Sequence, residues 1–354
     1  MGSKFPVDAP ARLYDLSLPS LRSLLEKWGE PDYRARQLWE WLYVHLADSF
    51  GQMTNLPLSL RENLAAETSI GMPELVASQV SSDRLTRKDL LRLTDGETVE
   101  AVLMRYEHRR TACISTQVGC PVGCLFCATG QAGFHRNLAV GEIVAQVVHF
   151  ARILQADGDR LTNVVLMGMG EPLLNYDASL AAIRRLVDPT GFRLGQRRIT
   201  LSTVGIVPGI DRLAEEDLQI TLAISLHAAT DDLRDRLVPI NRRYPLDELL
   251  AACRRYFART HRRISFEWVL IAGVNDSARQ AESLADRLSG LSAHVNLIPH
   301  NPTPAYHGRP PSDEAISAFT AVLDHRHTPY TIRLRRGIEI HAGCGQLRCR
   351  AAEG

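Results

Sequence analysis

Lysine is nearly missing from this chain. Of its 41 basic residues only Lys4, Lys27 and Lys88 are lysines; the rest are arginines. An excess of either charge is missing too. The formal net charge is +1, which removes a global basic field as an argument for a nucleic-acid partner. No apolar run approaches the roughly 20 residues needed to span a bilayer, so no membrane association is expected. Met1 to Leu13 carries no apolar core of the kind a secretion signal needs, and the expected location is the cytoplasm. Cysteines are few, seven in 354 residues, yet three crowd into one short stretch. That usage points to a reducing compartment and metal chemistry rather than to a disulfide scaffold. The remainder is ordinary: 45% hydrophobic and 23% charged residues place the chain among globular proteins, long enough for one large and one small domain.

The crowded stretch is Cys120-Pro-Val-Gly-Cys124-Leu-Phe-Cys127. Its C-x3-C-x2-C spacing offers three thiolates from a single loop. A cubane iron–sulfur cluster usually takes four cysteines; three leave one iron open to bind a substrate. A structural zinc site is the competing reading, although its usual spacings differ and it needs a fourth ligand, for which Cys113 is the candidate.

Along the chain, residues 14–66 carry leucines and aromatics at helical spacing: Leu16, Leu18, Leu21, Leu24 and Leu25, then Leu38, Trp39, Trp41, Leu42 and Tyr43, then Leu58, Leu60 and Leu64 after Pro57. We read residues 1–70 as a small helical domain. Residues 71–110 read as a β-hairpin linker turned at Asp95-Gly96. Its returning strand, Thr98 to Met104, is apolar except for Glu100, which is either an edge carboxylate facing solvent or a functional one. From residue 111 to 354 strands alternate with amphipathic helices. The strands are Ala112–Thr116, Asn163–Met167, Arg198–Thr203, Ile220–Leu226, Ile264–Ile271 and His294–Ile298. The clearest helices are Val140–Leu154, Leu180–Leu186, Leu246–Phe257 and Ala278–Leu288. The class is α/β, and six strand–helix units predict an incomplete (β/α)6 barrel.

Chemistry in parallel α/β folds sits at the C-terminal ends of the strands, and the motifs fall there. The cysteine loop follows the first strand and Gly168-Met169-Gly170-Glu171-Pro172 the second. Ser202 ends the third, Ser225-Leu226-His227 ends the fourth, and Asn301 lies beyond the last. Glycines allow close backbone approach, and a carboxylate accepts hydrogen bonds from an amino group. Near the C-terminus Cys344 stands between Gly343 and Gly345, on accessible backbone; an incidental free thiol is the alternative there. Pro302 to Pro311 is a Pro-rich loop that could serve as a lid. Basic residues bunch at Arg84, Arg87, Lys88 and Arg92, at Arg105, His108, Arg109 and Arg110, and at Arg254, Arg255, Arg259, His261, Arg262 and Arg263. A guanidinium fork matches phosphate oxygens, so these are phosphate-contact candidates or solvated surface.

The cysteine spacing, with Phe126 before the last cysteine, resembles the signature of the radical S-adenosylmethionine (SAM) enzymes. Taken with Thr111-Ala-Cys113-Ile-Ser-Thr-Gln117-Val-Gly-Cys120, the Cys-Ala-Thr-Gly-Gln-Ala-Gly-Phe-His-Arg-Asn-Leu that follows, Met53-Thr54-Asn55-Leu56-Pro57 and Cys344-Gly-Gln-Leu, the chain resembles one branch over nearly its whole length. That branch is the radical SAM RNA adenine methyltransferases of the RlmN/Cfr type.

The resemblance implies a radical SAM barrel and two cofactors. One is a [4Fe-4S] cluster on Cys120, Cys124 and Cys127 with SAM on its open iron; the other is SAM itself, two per turnover, contacted by Gly170, Glu171, Ser202, Ser225, Leu226, His227 and Asn301. It implies that Cys344 is methylated first. The 5'-deoxyadenosyl radical from a second SAM would then activate that methyl for addition to an adenine carbon, Glu100 would accept the proton, and Cys113 would release the product through a transient Cys113–Cys344 disulfide. Such a route is needed because an aromatic C–H carbon is not nucleophilic. The implied substrate is an adenosine of 23S rRNA in the peptidyl-transferase region, methylated at C2, and the adenosine 3' of the anticodon in some tRNAs. C8 methylation of the same rRNA adenosine is the alternative; a radical SAM activase and a zinc-bound RNA adaptor are others. An electron donor such as flavodoxin or ferredoxin and a monomeric state complete the expectation. Cys253, expected in a helix core, and Cys349 have no assigned role.

Overall fold

The computed structural model describes residues 10–333 and 336–348; Cys349 lies outside them. Contacts gather the chain into two compact units. One holds the residues up to Glu74 together with Leu138–Leu161 and Asp177–Gly195; the other holds Leu75–Asn137, Thr162–Tyr176 and the chain from Gln196 onward.

The first unit contains helices α1 (Leu18–Glu26), α2 (Tyr33–Tyr43) and α3 (Leu58–Glu67), as the leucine spacing predicts. Helix α1 starts where the Ser17 hydroxyl accepts from the amide of Ser20 and Pro19 occupies the first turn. Helix α2 buries Leu38, Trp39, Leu42 and Tyr43. The long helix α4 (Val140–Ala156) shares this unit. Its first turn is tied to the N-terminal segment by Arg12 on Glu142 at 2.9 Å and by the Gly141 amide on the Asp15 carboxylate at 2.7 Å. Arg185 donates to the carbonyls of Tyr14 and Asp15. The segment expected to form a domain by itself up to residue 70 is therefore joined, in its contacts, to chain that lies between barrel strands.

The second unit is built on one ten-stranded sheet: β1 (Glu74–Val80), β2 (Thr86–Arg92), β3 (Thr98–Arg105), β4 (Arg110–Cys113), β5 (Asn163–Leu166), β6 (Ile199–Thr203), β7 (Thr221–Ser225), β8 (Ile264–Leu270), β9 (Ala293–Pro299) and β10 (Tyr330–Ile332). They lie side by side in chain order, and the two ends of the row do not pair, so the barrel is partial. Strands β4 to β10 run parallel. Six of these seven coincide with the strands expected from the sequence. The seventh, β10, has three residues with none buried, so it carries no hydrophobic signal. The hairpin β2–β3 turns at Gly96, at φ +88°, and continues the barrel sheet as its antiparallel flank, with Lys88 opposite Val102 and Val102 opposite Cys113.

Candidate active site

The C-terminal ends of β4 to β9 surround one cavity of about 190 Å3, and the cysteine loop and the chain around Cys344 close its wall. Of the thirteen site residues expected, eleven line it; Leu226 and Glu100 do not.

The cysteine loop is anchored by packing. Val122, Cys124 and Phe126 belong to an apolar cluster with Leu233, Leu237 and Ile298, against which Cys120 and Cys127 lie partly buried. The Cys120 amide donates to the carbonyl of Gly133 at 2.8 Å and the Leu125 amide to that of Leu237 at 3.0 Å. Burial pushes the Cys120 thiol up to about 12 and the Cys124 thiol well above its ordinary value. Such thiols stay protonated until a metal displaces the proton. Among the described residues no three donors converge on one point, as a single-ion site requires. A cubane asks instead for one thiolate at each of three separate irons, and three thiols on one cavity-lining loop fit that demand.

The glycines of the turn after β5 admit another strand's exit, and both line the cavity. A Cβ on Gly168 would stand 2.7 Å from the carbonyl oxygen of Ile114, and one on Gly170, at φ +100°, would stand 2.6 Å from the side chain of Gln117. This close approach lets the Ser115 hydroxyl accept from the Met169 amide at 2.9 Å and the Gln117 side chain accept from the Glu171 amide at 2.8 Å. Glu171 is thereby fixed and buried. Its two oxygens accept from the amides of Leu173 at 3.0 Å and Val204 at 2.8 Å. Burial still wins, and the carboxyl is pushed up to about 7.

Ser202 and Ser225 end neighbouring strands with their hydroxyls 3.4 Å apart. Beyond Ser225 the chain turns through His227, at φ +61°. The His227 Nδ1 accepts from the Val269 amide at 3.0 Å, which leaves the proton on Nε2. Burial, with Arg234 nearby, depresses this imidazole to about 3, so it is neutral at physiological pH. Leu226 is fully buried; its carbonyl accepts from Arg234 at 3.0 Å. The same guanidinium donates to the carbonyls of Ser225 and Val204 and to Asn241. Arg234 thus ties the exits of β6 and β7 together, and burial lowers it to about 10. Nothing in the sequence marked it beyond an arginine flanked by the apolar Leu233 and Leu237 on a short helix. Glu267 was also missed. It interrupts the apolar run of β8 much as Glu100 interrupts β3, it lines the cavity, and it pairs with Arg333 at 3.1 Å.

The chain from Gly343 to Arg348 straps back across the barrel. The Asn301 side-chain amide donates to the Cys344 carbonyl at 3.3 Å, Gln346 bridges the Gly343 amide and the Pro302 carbonyl, and Thr129 donates to the Leu347 carbonyl at 2.7 Å. The Ala128 amide, next to Cys127, donates to the Gly345 carbonyl at 2.7 Å. Cys344 is open to the cavity while Cys113 is buried, and both are free thiols, so the implied disulfide is not formed here. Burial pushes Cys113 up to about 12. Burial also raises Cys344, against the opposing pull of Arg333; it is accessible and desolvated together because it lines a concave wall.

Glu100 is not an edge carboxylate. It is 1% exposed, its oxygens held by Lys88 Nζ at 3.0 Å and the Arg348 amide at 2.8 Å. It stands on the face of β3 that also carries Val102 and Met104, both of which line the cavity. Several of the bunched basic residues have carboxylate partners: Arg87 with Asp89, Lys88 with Glu100, Arg255 with Asp211 and Arg259 with Glu215. Arg109 stacks on Tyr106. Cys253 is buried in its helix, as expected.

The profile of the radical SAM superfamily matches residues 114–284, and that of the ribosomal RNA large subunit methyltransferase N-terminal domain matches residues 11–70. The chain is 53% identical to the dual-specificity RNA methyltransferase RlmN 1 of Myxococcus xanthus, over 97% of this chain and 96% of that one. It is 51% identical to the probable dual-specificity RNA methyltransferase RlmN of Chloroflexus aurantiacus, over 95% and 92%. A crystal structure of a radical SAM methyltransferase from Sphaerobacter thermophilus superposes with a TM-score of 0.94 at 52% identity, covering 96% of this chain and all of that one.

Proposed function

Because this chain belongs to the RlmN family of dual-specificity radical SAM RNA methyltransferases, we propose that it methylates C2 of an adenosine in the peptidyl-transferase region of 23S rRNA and of the adenosine 3' of the anticodon in some tRNAs. The observation that supports this reading most is the meeting of Cys120, Cys124, Cys127, Glu171, Cys113 and Cys344 on one cavity.

Cys120, Cys124 and Cys127 would hold the [4Fe-4S] cluster, and Gly170, Glu171, Ser202, Ser225, Leu226, His227 and Asn301 would bind SAM. When bound, these two supply a methyl group and a carbon-centred radical. The side chains do the rest. The Glu171 oxygens accept from two backbone amides and from the Thr203 side chain, which leaves one lone pair for an ammonium group. Neutral His227 offers its Nε2 proton as a donor. Cys344 carries the transferred carbon. Glu100 accepts the proton from the attacked ring carbon, and Cys113 attacks the Cys344 sulfur to free the RNA. Cys113 must first lose its proton, since the thiolate is the nucleophile. The disulfide that results lasts until a reductant resets the pair. The adenine has to leave its stack to reach the cavity. The N-terminal helices and the arginine patches would hold the RNA, a flavodoxin or ferredoxin would supply electrons, and the protein would act as a monomer in the cytoplasm. No described helix is long and apolar enough to cross a membrane.

The test is anaerobic reaction of the reconstituted protein with a 23S rRNA fragment and with tRNA, followed by mass spectrometry of the nucleosides. 2-Methyladenosine from both is expected. 8-Methyladenosine would establish the alternative regiochemistry. The Cys113→Ala variant should still methylate Cys344 and accumulate a covalent protein–RNA species, and Cys344→Ala should form none.

A further inference from the structure

Lys88 is the one lysine of the second unit, in a chain that uses arginine almost everywhere else. Its place is not on the surface. The side chain is 9% exposed, and its ammonium lies 3.0 Å from Glu100 Oε1. The sheet register explains the meeting. Lys88 stands opposite Val102 across β2 and β3, and Cys113 stands opposite Val102 across β3 and β4. Opposite residues in antiparallel strands share a face, and residues two apart on one strand share it too. Lys88, Glu100, Val102 and Cys113 are therefore on one face of three adjacent strands, and Val102 and Cys113 line the cavity.

We propose that Lys88 is a positioning residue for Glu100: its ammonium balances the buried carboxylate and fixes the orientation of its side chain. The inference rests on the reading of Glu100 as the proton acceptor. Lys88 takes one oxygen. The other accepts the Arg348 amide, which belongs to the same strap as Cys344. A carboxylate in so closed a site needs a compact charge beside it. Lysine supplies a point charge on a narrow stem, where arginine would bring a planar fork. That difference gives a physical reason for a lysine at this position.

The experiment compares Lys88→Met, Lys88→Arg and Glu100→Gln in the full chain, with three readouts: S-methylation of Cys344, formation of 5'-deoxyadenosine, and the covalent protein–RNA species seen on denaturing gels. Glu100→Gln should slow RNA release roughly 100-fold and accumulate the adduct. Lys88→Met should do the same to a lesser degree, about tenfold, with Cys344 methylation and 5'-deoxyadenosine formation within about twofold of the parent, a small effect on this scale. Lys88→Arg should recover part of the release rate. Equal loss of all three readouts in Lys88→Met, with a lowered melting temperature, makes Lys88 structural only and overturns the proposal; Lys88→Gln, smaller and polar, repeats that test where Met misfolds. If Glu100→Gln stalls and folded Lys88→Met does not, Lys88 has no positioning role although Glu100 keeps its own. If Glu100→Gln releases RNA normally, the reading of Glu100 fails and this inference falls with it.

Discussion

Asn301 donates its side-chain amide to the backbone carbonyl of Cys344 across 3.3 Å, while its own Oδ1 is buried without a partner among the described residues. One side chain thus touches the strap that carries Cys344 and keeps an unused acceptor in the wall of the cavity expected to hold SAM.

Asn301→Asp keeps the shape and removes the donor. A neutral hydrogen bond is worth about 1 kcal/mol, so methylation of Cys344 should slow by roughly fivefold in this variant, read from the mass of the Cys344 peptide after anaerobic incubation with SAM. An unchanged rate would show that the contact does not hold the strap.

Glu171 sets a pH dependence. Burial raises its carboxyl from 4.5 to about 7. An acid raised on folding favours the folded state most below its unfolded value and gives up that contribution as pH climbs through the folded value. The cofactor-free protein should therefore lose thermal stability between about pH 5 and 8 from this group, and Glu171→Gln should flatten that part of the curve. SAM affinity runs the other way. The ionised carboxylate receives the ammonium, so binding to the reconstituted protein should be roughly tenfold weaker at pH 6 than at pH 8. Titration calorimetry showing equal affinity at both would exclude the pairing.

Gly170→Ala tests the turn after β5. The added Cβ meets Gln117 at 2.6 Å on backbone at φ +100°, so strain and overpacking coincide. We expect a loss of at least about 2 kcal/mol in denaturant unfolding. A smaller loss would mean that the Gln117 side chain can step aside.

Arg234→Lys preserves the charge and loses the fork that joins the carbonyls of Leu226, Ser225 and Val204. Two or more buried acceptors are orphaned at about 1–3 kcal/mol each. The melting temperature should fall by several degrees, and SAM binding should weaken because Ser202, Ser225 and His227 lose their common anchor. Wild-type melting would show that water replaces the guanidinium.

The sequence by itself determined the strand–helix alternation, because the apolar residues recur within each short strand, in alternation in β6 and in unbroken runs within β7 and β8, and that local pattern needs no partner to be read. It also determined the cysteine loop, whose three thiols are local in the chain, and it placed Glu171, Ser202, His227 and Asn301 at strand ends, where the barrel gathers them. Only the tertiary structure decided the fates of Glu100, Lys88 and Arg234. Glu100 reads the same in the sequence whether its face is wet or closed, and pairing of β2 with β3 and of β3 with β4 closed it. Lys88 sits among arginines in a stretch that reads as a surface patch, until the register turns it inward. Arg234 is a polar residue whose partners are backbone carbonyls on two other segments, and carbonyls leave no mark in a sequence. The glycines around Met169 also admit a neighbouring strand, because a close approach has two sides and the sequence displays one.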